Sequence, residues 1–415
     1  MHRRHFLMAL SATMAAFASP ARVARADAAS GRRFVFVFAD GGWDPLCVFA
    51  PLFGKSEIEP DLGSAPMKVA GFDLVDHPDR GSVRAFFERW GKRIVLMNGI
   101  NVRSVSHEVC TQIALTGRSS DAEPDWASRL AGAELGSFAL PHLSLSGPVL
   151  PGGLGAAVAR IGTSGQLAGL VRGSFLDGLD TPPRRFGGAA ERVLDRYYAR
   201  RVAGFRARHR GASEAEDRLL DDLEQASNRT AAVKQVRDEL SLNPGSDALS
   251  QAGAAVAALA QGLSRCVSLG TGISWDTHVD NDAQQGAHFS ALFQMLDALC
   301  SNLATTAGPS GAPLADDTVV VVLSEMARTP KRNGNGGRDH WPFTSALLVG
   351  PGLDGGRTIG GYDDHYIGTG VDFASGEPDS RASSLTMADL GATLLALGGV
   401  EGAHVDGAPV KGVLA

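Results

Sequence analysis

Two uninterrupted apolar runs, Arg33-Phe34-Val35-Phe36-Val37-Phe38 and Thr318-Val319-Val320-Val321-Val322-Leu323, constrain the fold most. Neither alternates apolar with polar residues, and both are rich in β-branched and aromatic side chains. Each therefore reads as a strand buried on both faces, the condition of a parallel sheet covered by helices on two sides. A further strand is expected at Arg93–Met97, ending at Asn98-Gly99, and another at Ser345–Val349, running into Gly350-Pro351-Gly352. Helical patterns lie between them. The clearest runs from Gln285 to Leu303, with Phe289, Leu292, Phe293, Leu296 and Leu299 on one stripe of 3.6-residue period. Strands alternating with helices predict an α/β fold with a doubly wound, mostly parallel sheet.

Residues 1–28 read as a twin-arginine signal peptide. Arg3-Arg4-His5-Phe6-Leu7 supplies the arginine pair, spacer, aromatic and leucine, and the apolar run Leu7 to Ala18 follows. That run is shorter than the roughly 20 residues a membrane span requires. Ala24-Arg25-Ala26 and Ala26-Asp27-Ala28 offer cleavage sites. The expectation is export to the periplasm or beyond, with the twin-arginine translocase as the partner during export. That route carries folded proteins, often with a metal or cofactor bound. Residues 29–415 are expected to form one α/β domain. An inserted helical segment at about 185–242 is marked by a stretch rich in Ala, Arg, Glu and Asp, and Gly152 to Gly178 reads as an irregular connector.

Composition excludes several classes of function. The chain is 44% hydrophobic and 20% charged with 51 glycines, as in a globular protein with many tight turns. A net charge of −6 and the lack of a basic run in the mature part argue against a nucleic-acid partner. No later segment reads as a stable membrane span. Cys47, Cys110, Cys266 and Cys300 are far apart and include no Cys-x-x-Cys pair, so no zinc ribbon or thioredoxin-type site is expected, and their spacing fixes no disulfide pairing.

In an open parallel sheet the ligand sits beyond the carboxyl ends of the strands. Asp40 ends the first strand and Glu325 the Val-rich one, Trp275-Asp276-Thr277-His278 follows the short apolar stretch around Val267–Leu269, and Arg338-Asp339-His340 lies in a glycine-rich loop. Carboxylates converging at such a cleft repel one another unless cations neutralise them. With imidazoles nearby, a divalent metal ion is the economical solution, and mixed nitrogen and oxygen donors suit zinc, manganese or iron more than calcium.

Five motifs in order, Phe-Ala-Asp-Gly-Gly-Trp-Asp from Phe38, Ser-His-Glu from Ser106 with Leu-Thr-Gly from Leu115, Trp-Asp-Thr-His from Trp275, Ser-Glu-Met-Ala-Arg-Thr-Pro from Ser324 and Gly-Gly-Arg-Asp-His from Gly336, carry a resemblance. The chain resembles an exported bacterial family, domain of unknown function 1501, which is itself similar to the alkaline phosphatase and sulfatase superfamily. Ser384 to Leu394 followed by Leu397-Gly398-Gly399-Val400 is similar to the closing helix of sulfatases. The resemblance implies an alkaline phosphatase-like sheet and a metal site holding Asp40, Asp276, His278, Glu325, Asp339 and His340. It also shows two departures. Glu325-Met326 stands where the superfamily has Asp-His, and His107 stands where it has a nucleophilic hydroxyl, with Ser106 adjacent. Either Ser106 is a nucleophile beside the metal or His107 is a metal ligand or proton donor. Arg328 and Arg338 are candidate oxyanion binders. Cys110 lacks the Pro and Arg that follow a formylglycine-forming cysteine, so a standard sulfatase is not expected. The implied activity is metal-dependent hydrolysis of phosphate or related esters, with a small-molecule or glycan ester as substrate. Its rivals are a non-catalytic binding or assembly protein that retains the fold, and a sulfuric ester hydrolase using metal-activated water.

Export should depend on guanidinium geometry and not on charge alone. Replacing Arg3 and Arg4 by Lys and fractionating cells should leave the protein in the cytoplasm; a normal periplasmic yield would exclude the twin-arginine route.

Overall fold

The structure, a computed structural model, describes residues 31–161, 188–209, 211, 213–217, 219–224, 245–400 and 405–415. Twelve strands are numbered here in chain order: β1 Arg33–Phe38, β2 Ala65–Val69, β3 Phe72–Asp76, β4 Ile94–Asn101, β5 His142–Ser144, β6 Val158–Arg160, β7 Cys266–Gly270, β8 Thr318–Leu323, β9 Ala327–Arg328, β10 His340–Trp341, β11 Phe343–Val349 and β12 Arg357–Gly360. Eight form the central sheet in the order β12-β4-β11-β8-β1-β7-β5-β6. All neighbouring pairs are parallel except those of β11, which runs antiparallel to both β4 and β8. The expected doubly wound, mostly parallel α/β sheet is the observed fold.

The period-2 geometry of a strand explains why the apolar runs are continuous. Val35 and Val37 of β1 join Val320 and Val322 of β8 in one core, which is closed by the helices Gly81–Trp90, Ala248–Ala260 and Asn281–Thr305. The residues between them, Phe34, Phe36 and Phe38 with Val319, Val321 and Leu323, point the other way into a second core beneath the helices His107–Thr116, Trp126–Gly132 and Met387–Leu397. The fold is a three-layer sandwich with β1 and β8 at its centre. All four cysteines are buried free thiols.

Two sequence expectations need adjustment. β4 does not stop at Asn98-Gly99 but continues to Asn101. Gly99 takes φ +72°, and the pairing with β11 shifts register between Thr344 and Ala346, so a bulge carries the strand past the glycine. The stretch from Gly152 is not wholly irregular: after a 3-10 segment it adds β6 at the sheet edge, a strand too short to show a pattern. Within 185–242 the structure describes the helix Gly188–His209, whose Arg206 pairs with Asp221 and Glu224. Apart from that helix and residues 211, 213–217 and 219–224, the interval lies outside the described residues, as do residues 162–178 of the connector and the signal segment 1–28. Among the described residues no helix is long and apolar enough to cross a membrane.

His142 of β5 is fully buried, bonding Ser128 Oγ through Nδ1 at 3.0 Å and Ser268 Oγ through Nε2 at 2.7 Å. Burial pushes its pKa below the ordinary value, outweighing the opposing charge of Asp125. The folded state thus binds fewer protons than the unfolded chain, and the stability contributed by neutral His142 is present above about pH 6.5 and lost as pH falls. Urea unfolding between pH 7 and pH 5 should show that slope in the native protein and a shallower one in His142→Gln; parallel slopes would refute the assignment.

Candidate metal centre

The carboxyl ends of β8, β1 and β7, adjacent in the sheet, present three loops to one place. The β1 loop turns at once through Gly41 and Gly42, with φ +116° and +85°. A Cβ on Gly41 would lie 2.5 Å from the Asp276 nitrogen, and one on Gly42 would lie 2.9 Å from Met326 Cγ, so only glycine lets the three loops close together. The carbonyl of Asp40 receives the Trp275 N–H at 2.9 Å. Beneath, Trp43, Trp275 and Phe289 pack against one another with centroids 4.9–6.4 Å apart, making a stiff floor.

Asp44, fully buried, organises the rest. It accepts from Leu46 N–H at 3.0 Å and Asn281 Nδ2 at 2.8 Å and pairs with Arg338 Nε at 3.1 Å. Gln285 accepts from the Asp44 N–H and donates to the Trp275 carbonyl and Thr277 Oγ1. Arg338 also donates to the carbonyls of Thr329 and Glu59. Gly337 presses so closely on the backbone of His278 that a Cβ there would overlap it.

On this frame three imidazoles converge. His340 Nδ1 donates to the Val105 carbonyl at 2.7 Å, a partner that can only accept. His278 Nδ1 faces Asp339 Oδ1 at 3.0 Å, and His107 Nδ1 faces Glu325 Oε1 at 2.9 Å. With every Nδ1 proton held by an oxygen, each neutral ring turns the lone pair of Nε2 inward. Those nitrogens surround Asp276 Oδ1 at 3.3 Å for His107, 3.0 Å for His278 and 3.4 Å for His340. The Nε2 atoms of His278 and His340 lie 3.0 Å apart, and that of His107 has no hydrogen-bond partner. Four acceptors this close repel unless protons or a cation lie among them.

The spacing fits a cation. Zinc at about 2.0–2.1 Å from each ligand sets tetrahedral donors about 3.4 Å apart, close to the observed separations. The ligand atoms of His107, Asp276 and His340 lie within 4.8 Å of one another, and His278 Nε2 stands beside them, 3.0 Å from both Asp276 Oδ1 and His340 Nε2. A ring nitrogen held by a carboxylate or carbonyl is the arrangement that orients histidine ligands in metal sites. The residues therefore fit a divalent metal ion held by the nitrogens of His107 and His340 and the oxygen of Asp276, with His278 adjacent.

The residues singled out from sequence divide by what they touch. Asp276, His278, His340 and His107 face the shared point. Glu325, fully buried, bonds Gly41 N–H at 2.8 Å as well as His107, and Asp339 holds His278; each braces a ring. Asp40 is exposed, and burial, Glu325 and Asp276 raise its carboxyl pKa against the opposing charge of His107. Burial would raise Asp276 too, but the hydrogen bond and charge of Arg328, with His107 and His278, bring it down to about 2. The bond to Glu325 raises His107. Ser106 is the N-cap of the His107–Thr116 helix, exposed, with its hydroxyl in no cap bond. Arg328 is fully buried and donates to the carbonyls of Gly41, Gly42 and Arg338 and to Asp276 Oδ1 at 2.7 Å. Its donors face inward, and those of Arg338 do likewise.

Sequence reasoning missed Asp44, Gln285 and Val105. Asp44 follows Asp40 within the same motif and was open to discovery; a backbone carbonyl such as that of Val105 leaves no mark on a sequence.

A family model described as "Protein of unknown function (DUF1501)" matches residues 101–403. No curated protein matches the chain. Among solved structures the chain is similar to the phosphonate monoester hydrolase of Agrobacterium radiobacter, at 12% identity and TM-score 0.36 over 92% of this chain and 78% of that one. It is similar also to a 2-O GAG sulfatase, at 9% identity and TM-score 0.38 over 92% and 75%. A third is Ps i-CgsB in complex with k-i-k-neocarrahexaose, at 10% identity and TM-score 0.38 over 91% and 75%.

Removing Asp44 leaves Arg338 buried without its charge partner, a change that costs about 3–5 kcal/mol in comparable pairs. Asp44→Ala should lower unfolding free energy in urea by that order, whereas a loss under about 1 kcal/mol would show that the pair does not organise the loops.

Proposed function

We propose that this chain, which belongs to the DUF1501 family, is an exported metal-dependent hydrolase of phosphate or related esters. One observation carries the reading: three imidazoles, each fixed through Nδ1, aim Nε2 at the carboxylate of Asp276 at the carboxyl end of the sheet. Zinc, manganese or iron suits those donors. When bound, such an ion supplies Lewis-acid polarisation of an ester oxygen.

The chain's own groups supply the rest. Arg328 keeps Asp276 ionised and fixed in place. Glu325 and Asp339 hold the rings of His107 and His278 in one tautomer. Asp40, exposed at the rim and bonded to no ring, is placed to accept a proton, and the Ser106 hydroxyl, free of a capping bond, is the nucleophile nearest to His107 in sequence. The inward commitment of Arg328 and Arg338 favours a second reading, a non-catalytic binding protein, because neither guanidinium is left to clamp an oxyanion.

Elemental analysis with a panel of aryl phosphate, phosphonate and sulfate esters separates these readings. His107→Ala and His340→Ala should each strip bound metal, and Glu325→Gln should weaken it by roughly 10–100-fold. Ser106→Ala should keep the metal while cutting turnover by several orders of magnitude. Full metal content in all three substitutions of the metal cluster would rule out the site, and metal retention without turnover of any ester would leave the binding reading.

A further inference from the structure

We infer that Tyr366 is a positioning residue for the metal centre: it holds Trp341, and through Trp341 it sets the roll of β10 that aims His340 at Asp276. The inference rests on reading the cluster of His107, Asp276 and His340 as a metal site, and on the packing around residues 361–370 for the role of Tyr366.

β10 has little backbone to hold it. Its two residues pair His340 with Arg328 and Trp341 with Ala327. Successive side chains of a strand leave on opposite faces, so a roll that frees Trp341 also swings His340. On the face of the centre, His340 Nδ1 is tied to the Val105 carbonyl at 2.7 Å. On the other face Tyr366 grips Trp341 twice. The Trp341 Nε1–H donates to the Tyr366 carbonyl at 2.9 Å, and the two rings lie within 10° of parallel with centroids 6.1 Å apart. Tyr362 packs against the same tyrosine ring at 4.7 Å.

Tyr366 keeps this pose at a cost. Its φ is +64°, a left-handed conformation unfavourable for any bulky side chain, and its buried hydroxyl has no hydrogen-bond partner among the described residues. A residue stays in such a conformation only where its surroundings over-determine it. Here the Tyr366 N–H donates to the Asp363 carbonyl at 3.0 Å, and Asp363 Oδ1 accepts the N–H groups of His365 and Ile367 at 2.8 and 2.9 Å. A Cβ on Gly368 would overlap the Gly99 carbonyl, so the base of the loop is seated on β4. Burial pushes the Tyr366 phenol well above its ordinary range; Tyr362 and Asp44 add to the rise and Arg338 opposes it. The residue that grips Trp341 therefore also lies within reach of the pair that fixes Arg338, two residues before His340. Glycine would relieve the backbone and phenylalanine the hydroxyl, which separates the two features by substitution.

Cobalt(II) titrated into the metal-free protein tests the role, because its visible absorption reports the ligands and a dissociation constant measured on folded protein does not follow global stability. Tyr366→Phe should keep native affinity and spectrum. Tyr366→Gly, relieved of strain but without the ring, should bind cobalt about ten-fold more weakly with an altered spectrum, and so should Trp341→Leu, within the roughly 10–100-fold range for loss of an outer partner. The double variant should lose no more than either single change, since each removes the same brace. Leu299→Ala, a buried truncation far along the Asn281–Thr305 helix, should lower stability and leave cobalt binding unchanged. Native affinity and spectrum in Tyr366→Gly or Trp341→Leu would overturn the inference, as would additive losses in the double variant; if Tyr366→Gly does not fold, Trp341→Leu decides. A native protein that takes up no cobalt would instead reject the metal centre itself, and the inference with it.

Discussion

One buried carboxylate fixes the geometry on which the site depends. Asp44 lies on the β1 loop, Asn281 and Gln285 on the first turns of the Asn281–Thr305 helix, and Arg338 on the glycine-rich loop before β10; a single cluster of contacts ties all three. The 3.1 Å approach of Arg338 Nε is poorly aligned for a hydrogen bond, so its attraction to Asp44 is mainly between charges. Removing two such charges from water costs about as much as their attraction returns, and the pair adds little to stability relative to an apolar replacement. What it adds is register. His278 lies three residues before Asn281 and His340 two after Arg338, so the separation of their ring nitrogens follows from where Asp44 holds those two neighbours.

The centre has the opposite character. Four acceptor atoms lie 3.0–3.4 Å apart at its narrowest contacts, an arrangement a folded chain keeps only if something positive offsets it. Arg328 does so for Asp276 alone, because its other donors serve backbone carbonyls. The elevated proton affinity of His107 is the other sign of the same excess of negative charge. A cation that binds the folded chain and not the unfolded one would relieve the repulsion and stabilise the fold together, which couples metal retention to stability.

Much of this was legible in the sequence, for physical reasons. β1 and β8 announce themselves because a strand buried on both faces must be apolar at every position, and the Gln285–Leu303 stripe does so because one helix face meets the core. β5 and β6, three residues each at the sheet edge, carry too little pattern to be seen. In the site, the strand-end acids and the Asp-x-His pair stood out by position. Their division of labour did not, because whether Glu325 meets a metal or braces a ring depends on the loop that brings Gly41 within 2.8 Å of it.

Met326 and His107, the two positions that set this sequence apart from the pattern it resembles, both adjoin Glu325 in the structure. Met326 is fully buried, and its Cγ crowds the space above Gly42, so an imidazole there would meet the turn that closes the β1 loop. His107 enters from the start of the neighbouring helix and points its free nitrogen at Asp276. Glu325 fixes that approach. It bonds the Gly41 N–H and His107 Nδ1 through the same oxygen, a reach that an aspartate, one methylene shorter, would lack. With an imidazole at the helix start turned to the centre, the exposed hydroxyl of Ser106 is the adjacent group left without a capping bond.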